Sequence, residues 1–253
     1  MKYDKRIKCF KSSELLADSL AFEFKKVALV YLSSNQKLNI AISGGSTPNI
    51  FYQALASIKN KDSIPWHIIH IFWVDERCVG PDDNESNYKN VKDTLLDKID
   101  ISKENIHRIH GEESPLIEVE RYSRQVSDHL VSQSINIPRF DWIFLGLGED
   151  GHTASIFPHS AILNSKNSLF NNAVNPYTNQ NRISMSIPII NQAKRITFIV
   201  TGKSKTKILR KIFSLSRRSK KYPATYVFPQ KGSLEWYIDT NAGKYLCQKN
   251  NNI

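Results

Sequence analysis

The chain has 253 residues, 40% of them hydrophobic and 23% charged, with ten glycines and ten prolines. That length can bury a sizeable core, and the composition excludes a collagen-like chain and argues against global disorder. The net charge is +11, but residues 203–221 hold nine basic residues and no acidic ones, so the remainder carries only +2. A basic balance attracts nucleic acid, anionic lipid or a phosphorylated metabolite, and does not by itself choose among them.

Along the chain, Leu15, Leu16, Leu20, Phe24, Val27 and Tyr31 recur at helical spacing behind Ser12 or Ser13 as cap. Residues 38–42 form a short apolar strand. Ser43-Gly44-Gly45-Ser46-Thr47-Pro48 follows, with Thr47 suited to an N-cap and Pro48 to the first helical position; Ile50, Phe51, Ala54, Leu55 and Ile58 continue that helix. Residues 68–74 read as a buried strand, residues 75–85 as a polar loop, and Ser86 as the cap of a helix to about Leu96. A short strand at 106–109 precedes a helix opened by Ser114-Pro115 and reaching about Ser132. Residues 142–145 form a strand that runs into Gly146-Leu-Gly-Glu-Asp-Gly-His-Thr153. Ile183, Met185 and Ile187 alternate with serines, the pattern of a half-exposed strand. A strand at 196–200 is broken by Gly202, and a basic helix runs to about Leu215; the tail at 248–253 is expected to fray.

This alternation predicts an α/β fold: a mostly parallel, doubly wound sheet with helices on both faces, in one domain spanning 1–253. Ligands of such sheets bind beyond the carboxyl ends of the strands, where the loops at 43–47, 75–86, 146–155 and 202–205 converge. No apolar run approaches the ~18 residues of a membrane span, and no signal-peptide core follows the charged residues 1–11. The expectation is a soluble, cytoplasmic protein that is not secreted. Cys9, Cys78 and Cys247, odd in number and widely spaced, give neither a disulfide framework nor a CxxC knuckle, which fits a reducing compartment.

Three groups of residues carry candidate chemistry, and three others are weighed and set aside. In Ser43, Gly44, Gly45, Ser46 and Thr47, two glycines let the backbone approach a ligand, and hydroxyls and free N–H groups at a helix start suit an anion; a capped strand-to-helix turn reads the same way locally. Arg77, in Asp75-Glu76-Arg77, suits a bidentate clamp on phosphate or carboxylate, or a surface ion pair. Asp150 and His152 lie at a strand end among three glycines: an unperturbed imidazole titrates near 6.5 and takes a proton from water at neutral pH, and a neighbouring carboxylate orients it. Ser155 lies outside any G-x-S-x-G elbow, which argues against a covalent serine mechanism. His67/His70 and His107/His110 are spaced by three, which on strands points each pair to opposite faces; they are read as structural, and no metal site is assigned. In the basic stretch, Ile208, Leu209, Ile212, Phe213 and Leu215 make an apolar stripe, so most of its charges sit on a solvated face. Aromatic residues are not interleaved there as a nucleic-acid platform requires.

Taken together, Ser43-Gly-Gly-Ser-Thr-Pro48, Asp75-Glu-Arg77 with Ser86-Asn87-Tyr88, Gly146-Leu-Gly-Glu-Asp-Gly-His-Thr-Ala-Ser-Ile-Phe-Pro158, Arg182-Ile183-Ser184, Gly202-x-x-Lys205, Pro223-Ala224, and Trp236 with Asp239 resemble the 6-phosphogluconolactonase family, in its order and over nearly the whole chain. Glucosamine-6-phosphate deaminases share the glycine loop and Asp-Gly-His, but typically carry Asp-Glu-Tyr at the second motif and Ile-Ala-Phe-Asn-Glu-Pro at the third. Residues 175–181 lack the Lys-Pro-Pro run often seen in the lactonases. The resemblance implies hydrolysis of 6-phospho-D-glucono-1,5-lactone to 6-phosphogluconate without a cofactor. Its strand-end position two residues after a carboxylate makes His152 the expected general base, with Asp150 orienting His152 or the substrate; Arg77, Arg182 and Lys205 are expected with residues 43–47 on the substrate. The expected partner is a small sugar phosphate, not nucleic acid or membrane; the oligomeric state stays open, with a monomer favoured.

Overall fold

The computed structural model describes residues 5–57, 59–130, 138–214 and 221–247. Seven strands form one sheet in the order β1-β10-β9-β6-β2-β3-β5, and every neighbouring pair is parallel. They are β1 (Lys5–Phe10), β2 (Leu38–Ile42), β3 (Ile69–Trp73), β5 (Ile106–His107), β6 (Trp142–Leu145), β9 (Arg195–Val200) and β10 (Ser233–Asp239). A second, antiparallel sheet has the order β4-β8-β7, from Asp75–Arg77, Asn181–Met185 and Phe170–Val174. The helices are α1 (Ser13–Ser33), α2 (Ser46–Leu55), α3 (Asn87–Thr94), α4 (Pro115–Leu130), α5 (Ile187–Gln192) and α6 (Thr206–Phe213).

Register assigns the faces. Ile40, Ile71 and Trp142 are cross-strand neighbours on one face, and there Phe24 of α1 and Phe51 of α2 pack against Phe144, with Phe24 also against Trp142. Ala41, Phe72 and Ile143 point the other way. That face is covered by α4, whose His129 meets Phe72, and by α6, whose Phe213 meets Trp236. The sheet is therefore sandwiched as the alternation predicts, with fully buried Trp73, Trp142 and Trp236 in its layers.

Several local expectations are corrected. Residues 75–77 are not loop but β4, because Asp75, Glu76 and Arg77 pair with Ser184, Ile183 and Arg182. The serines of the 183–187 segment are buried rather than half-exposed: Ser184 Oγ accepts from Ser155 N and Ser186 Oγ donates to Ser168 O, so their hydroxyls are satisfied inside. Ile187 opens α5 rather than ending the strand. At α2 the cap is Gly45, not Thr47; its φ of 103° turns the chain two residues earlier than a Thr cap would. The Ser12 and Ser86 caps are present, accepting from Leu15 N and Lys89 N. Strands β1, β7 and β10 were not anticipated. Ile58, Ser132, Leu215 and the tail at 248–253 lie outside the described residues.

The cysteine reading is also corrected. Cys9 and Cys247 form a disulfide with Cα atoms 5.7 Å apart across 238 positions of sequence. Cys9 lies opposite Ile238 at the β1–β10 edge, and the turn after β10 folds back there: Gly243 N bonds Asp239 O, and Cys247 N bonds Gly243 O. Parallel pairing of the two chain ends makes this contact, which spacing alone conceals. Cys78 is free.

Candidate active site

A cavity of about 410 Å³ opens at the carboxyl ends of β2, β3, β6 and β9. Its wall includes Ser43, Gly44, Gly45, Ser46, Thr47, Arg77, His152, Arg182 and Lys205, so nine of the ten expected residues meet in one place. The tenth, Asp150, stands behind His152 rather than on the wall.

The glycine loop is held from below. Ser43 is buried; its Oγ donates to Phe144 O at 2.9 Å, and Tyr52 OH donates to its carbonyl at 2.6 Å. Ser43 is thereby an anchor, and the open backbone belongs to Gly44 and Gly45. At Gly44 a Cβ would stand 1.8 Å from Asn87 Oδ1, so only glycine fits. Thr47 Oγ1 lies 3.3 Å from Thr201 Oγ1, which brings the start of α2 beside the loop that carries Lys205.

Glu76 serves the frame. Its buried carboxylate accepts from Arg77 N, Asn87 N and Tyr88 N at 2.7–2.8 Å and from Ser86 Oγ at 3.2 Å, closing the start of α3. Burial pushes this carboxyl up, against the three N–H donors that pull it down. Asp75 accepts from Ser155 Oγ at 2.6 Å. Ser155 is 1% exposed, and its hydroxyl is committed to that bond, in keeping with the reading against a serine nucleophile.

Arg77 and Arg182 are directly opposed on β4 and β8. Arg77 Nη1 donates to Glu85 O, and the Nε atoms of both arginines are buried without a partner among the described residues. Burial, then the Arg77 charge, lowers the Arg182 pKa. Lys205 is half-buried, and its ammonium makes no hydrogen bond or ion pair with a described residue; burial lowers its pKa, opposed by Glu149 and Asp150. Three cations thus face one cavity with donors to spare, an arrangement suited to an anion.

Asp150 and His152 form a tight pair. Asp150 Oδ1 lies 2.6 Å from His152 Nδ1 and accepts from His152 N at 3.0 Å, while Tyr177 OH donates to Oδ2 at 3.0 Å. Burial opposes ionisation of Asp150, but the His152 hydrogen bonds and charge, with the Tyr177 hydroxyl, outweigh it and hold the carboxyl down at about 2. An ionised Asp150 only accepts, so in the neutral imidazole Nδ1 carries the proton and Nε2 is the acceptor. A Cβ on Gly148 would stand 2.1 Å from His152 Nδ1, so that glycine makes room for the ring.

A model of the family described as glucosamine-6-phosphate isomerases/6-phosphogluconolactonase matches residues 11–236. The chain belongs to that family. It is 40% identical over 237 residues to the 6-phosphogluconolactonase of Aggregatibacter actinomycetemcomitans, covering 94% of this chain and 98% of the relative. The 6-phosphogluconolactonase of Haemophilus influenzae matches with the same identity and coverage. Among solved structures, the devB protein superposes with a TM-score of 0.88 at 36% identity, covering 95% of this chain and 99% of that one.

Within this isomerase/lactonase frame, the site also uses Asp75 and Asn87, which the sequence reading quoted within motifs without a role of their own, and Asn175 and Tyr177, which no motif marked. Asn87 and Asn175 line the cavity, Asp75 carries Ser155, and Tyr177 braces Asp150. Asn87 had a signal, since it follows the Ser86 cap; Asn175 and Tyr177 had none, because they arrive on the β7–β8 hairpin from a segment that departs from the expected pattern. Among the described residues no helix is long and apolar enough to cross a membrane.

Proposed function

We propose that this protein hydrolyses 6-phospho-D-glucono-1,5-lactone to 6-phospho-D-gluconate in the oxidative pentose phosphate pathway. The observation that carries the reading is the His152–Asp150 pair, 2.6 Å apart, at the wall of a cavity lined by Arg77, Arg182 and Lys205. The family relatives at 40% identity carry that activity in their names.

The remote phosphate is held by the N–H groups at the start of α2, with Lys205 and Arg182, and its binding energy fixes the lactone carbonyl near the base. His152 Nε2 takes a proton from water as the water oxygen attacks the carbonyl carbon. Asp150 steadies the imidazolium, and the negative charge gathered on the former carbonyl oxygen faces Arg77 or loop N–H groups. The carbon–ring oxygen bond then breaks, and the ring oxygen takes the proton from Nε2. The product is an acid that ionises. General-base help of about 10²–10⁴-fold suits an ester that already opens slowly unaided.

The whole chain acts as one lactonase domain with a sugar phosphate as its partner and without nucleic acid. A cytoplasmic location fits that substrate; the Cys9–Cys247 disulfide would there persist against a reducing pool, so the cysteines do not support it. Acid release from freshly generated lactone, set against ammonia release from glucosamine 6-phosphate, tests the reading. Ammonia without acid would overturn it.

A further inference from the structure

A second cluster of ligating side chains stands away from the catalytic cavity. Asn39 and His70 are cross-strand partners on β2 and β3, and Phe72 and His107 are partners on β3 and β5. Side chains alternate along a strand, so Asn39, His70, Phe72 and His107 share one face. It is the face that α4 covers, and one turn of α4 lays Gln125 and His129 over it. Pairing by sequence spacing, 67 with 70 and 107 with 110, looked within single strands; the sheet instead draws one histidine from each of three elements.

His70 Nδ1 lies 3.0 Å from His107 Nε2, and one ring nitrogen from each of His70, His107 and His129 falls within 4.8 Å of the others. A tetrahedral zinc site with Zn–N of about 2.0–2.1 Å has ligand–ligand edges of about 3.3 Å. The 70–107 edge is already near that value. The longest separation closes by about 1.5 Å if His129, the exposed member at the last turn of α4, rotates. One outer contact is that of a metal-bound imidazole: His129 Nε2 meets Asn39 Oδ1 at 3.0 Å, which leaves its other nitrogen to turn inward. At His107 the Gln125 amide nitrogen lies 3.2 Å from Nδ1, and rotation of that amide by half a turn presents its oxygen to an Nδ1–H instead. The cleft alongside offers Asp128, and its arginines are paired, Arg121 with Glu118 and Arg124 with Glu120.

We propose that His70, His107 and His129 bind one divalent d-block cation, with Zn²⁺ the best fit, and that water from the cleft takes the fourth position. The ion clasps the end of α4 to β3 and to the two-residue edge strand β5. It lies near the starts of these strands, whereas the catalytic loops follow their ends, so its role is structural.

The test is zinc titration of EDTA-treated, dialysed full-length protein, read by calorimetry and by thermal melting. Wild type is expected to take up one equivalent of zinc and to melt higher when loaded. His129→Gln, at an exposed position, is expected to fold and to bind zinc at least tenfold more weakly without the rise in melting temperature. His152→Asn is expected to keep both responses, which separates this site from the catalytic imidazole. Cobalt in place of zinc should give the visible absorption of a four-coordinate ion in wild type and His152→Asn, and not in His129→Gln. Absence of zinc uptake by wild type at 100-fold excess over about 1 µM protein, or equal uptake by His129→Gln, would overturn the proposal and leave the three rings as a hydrogen-bonded stack.

Discussion

Lys205→Met keeps the length of the side chain and removes its charge, and the structure makes opposite demands on stability and activity. Burial lowers the pKa of the ammonium in the folded chain, and no described residue pairs with it. A lysine whose folded pKa lies below its unfolded one costs stability at every pH below the folded value, and the cost fades as pH rises through it. Its removal at pH 7 should therefore leave the melting temperature unchanged or raise it by up to about 3 °C, at 2–4 °C per kcal/mol for a chain of this size. Substrate binding loses a charge-assisted contact of about 1.5–3 kcal/mol, which is roughly 10- to 150-fold in kcat/KM. The assay is acid release from freshly generated lactone, with spontaneous opening subtracted, beside a thermal melt of the same samples. Unchanged kcat/KM would refute the phosphate assignment. A fall in melting temperature beyond about 5 °C would show that Lys205 holds the fold instead.

Asp150→Asn should lower kcat by about 10–150-fold, the worth of one charge-assisted bond to His152, with KM within a few-fold. Because the folded pKa of Asp150 is depressed to about 2, its contribution to stability is present above the ordinary carboxyl value near 3.9 and is lost as pH falls towards 2. Melts between pH 5 and 2 should therefore decline less steeply in Asp150→Asn than in wild type. Gly44→Ala places a Cβ against Asn87 Oδ1, so it should cost about 1–3 kcal/mol in denaturant melts and reduce activity, and Asn87→Gly should relieve the clash in the double variant. Reduction of the Cys9–Cys247 bond, or Cys9→Ser, should destabilise by about 2–5 kcal/mol, because the bond closes nearly the entire chain into a loop; equal melts with and without dithiothreitol would count against it.

Five of the seven parallel strands were legible because they, like residues 142–145, are short apolar runs that local chemistry alone marks; β1 and β10, whose apolar residues alternate with polar ones, were not. The Gly146–Ser155 loop was legible for the same reason: its glycines, Asp150 and His152 are adjacent in sequence and remain so in space. What depended on partners far along the chain was not. Strand β4 exists only because β8 pairs with it, Glu76 became a frame residue only when α3 started above it, and Cys9 meets Cys247 only because β1 lies beside β10. The His70, His107 and His129 cluster belongs to the same class, since the register of three elements, not spacing within one, brings it together.

The measurement that bears most directly on the catalytic account is the steady-state rate of His152→Gln on freshly generated 6-phosphogluconolactone, beside wild type and with spontaneous opening subtracted. The account predicts kcat lower by about 10²–10⁴-fold and KM within a few-fold, because the general base is lost while the cations that grip the phosphate stay in place. A variant that turns over at the wild-type rate, or a covalent acyl adduct on Ser155 in the mass spectrum of the working enzyme, would contradict it.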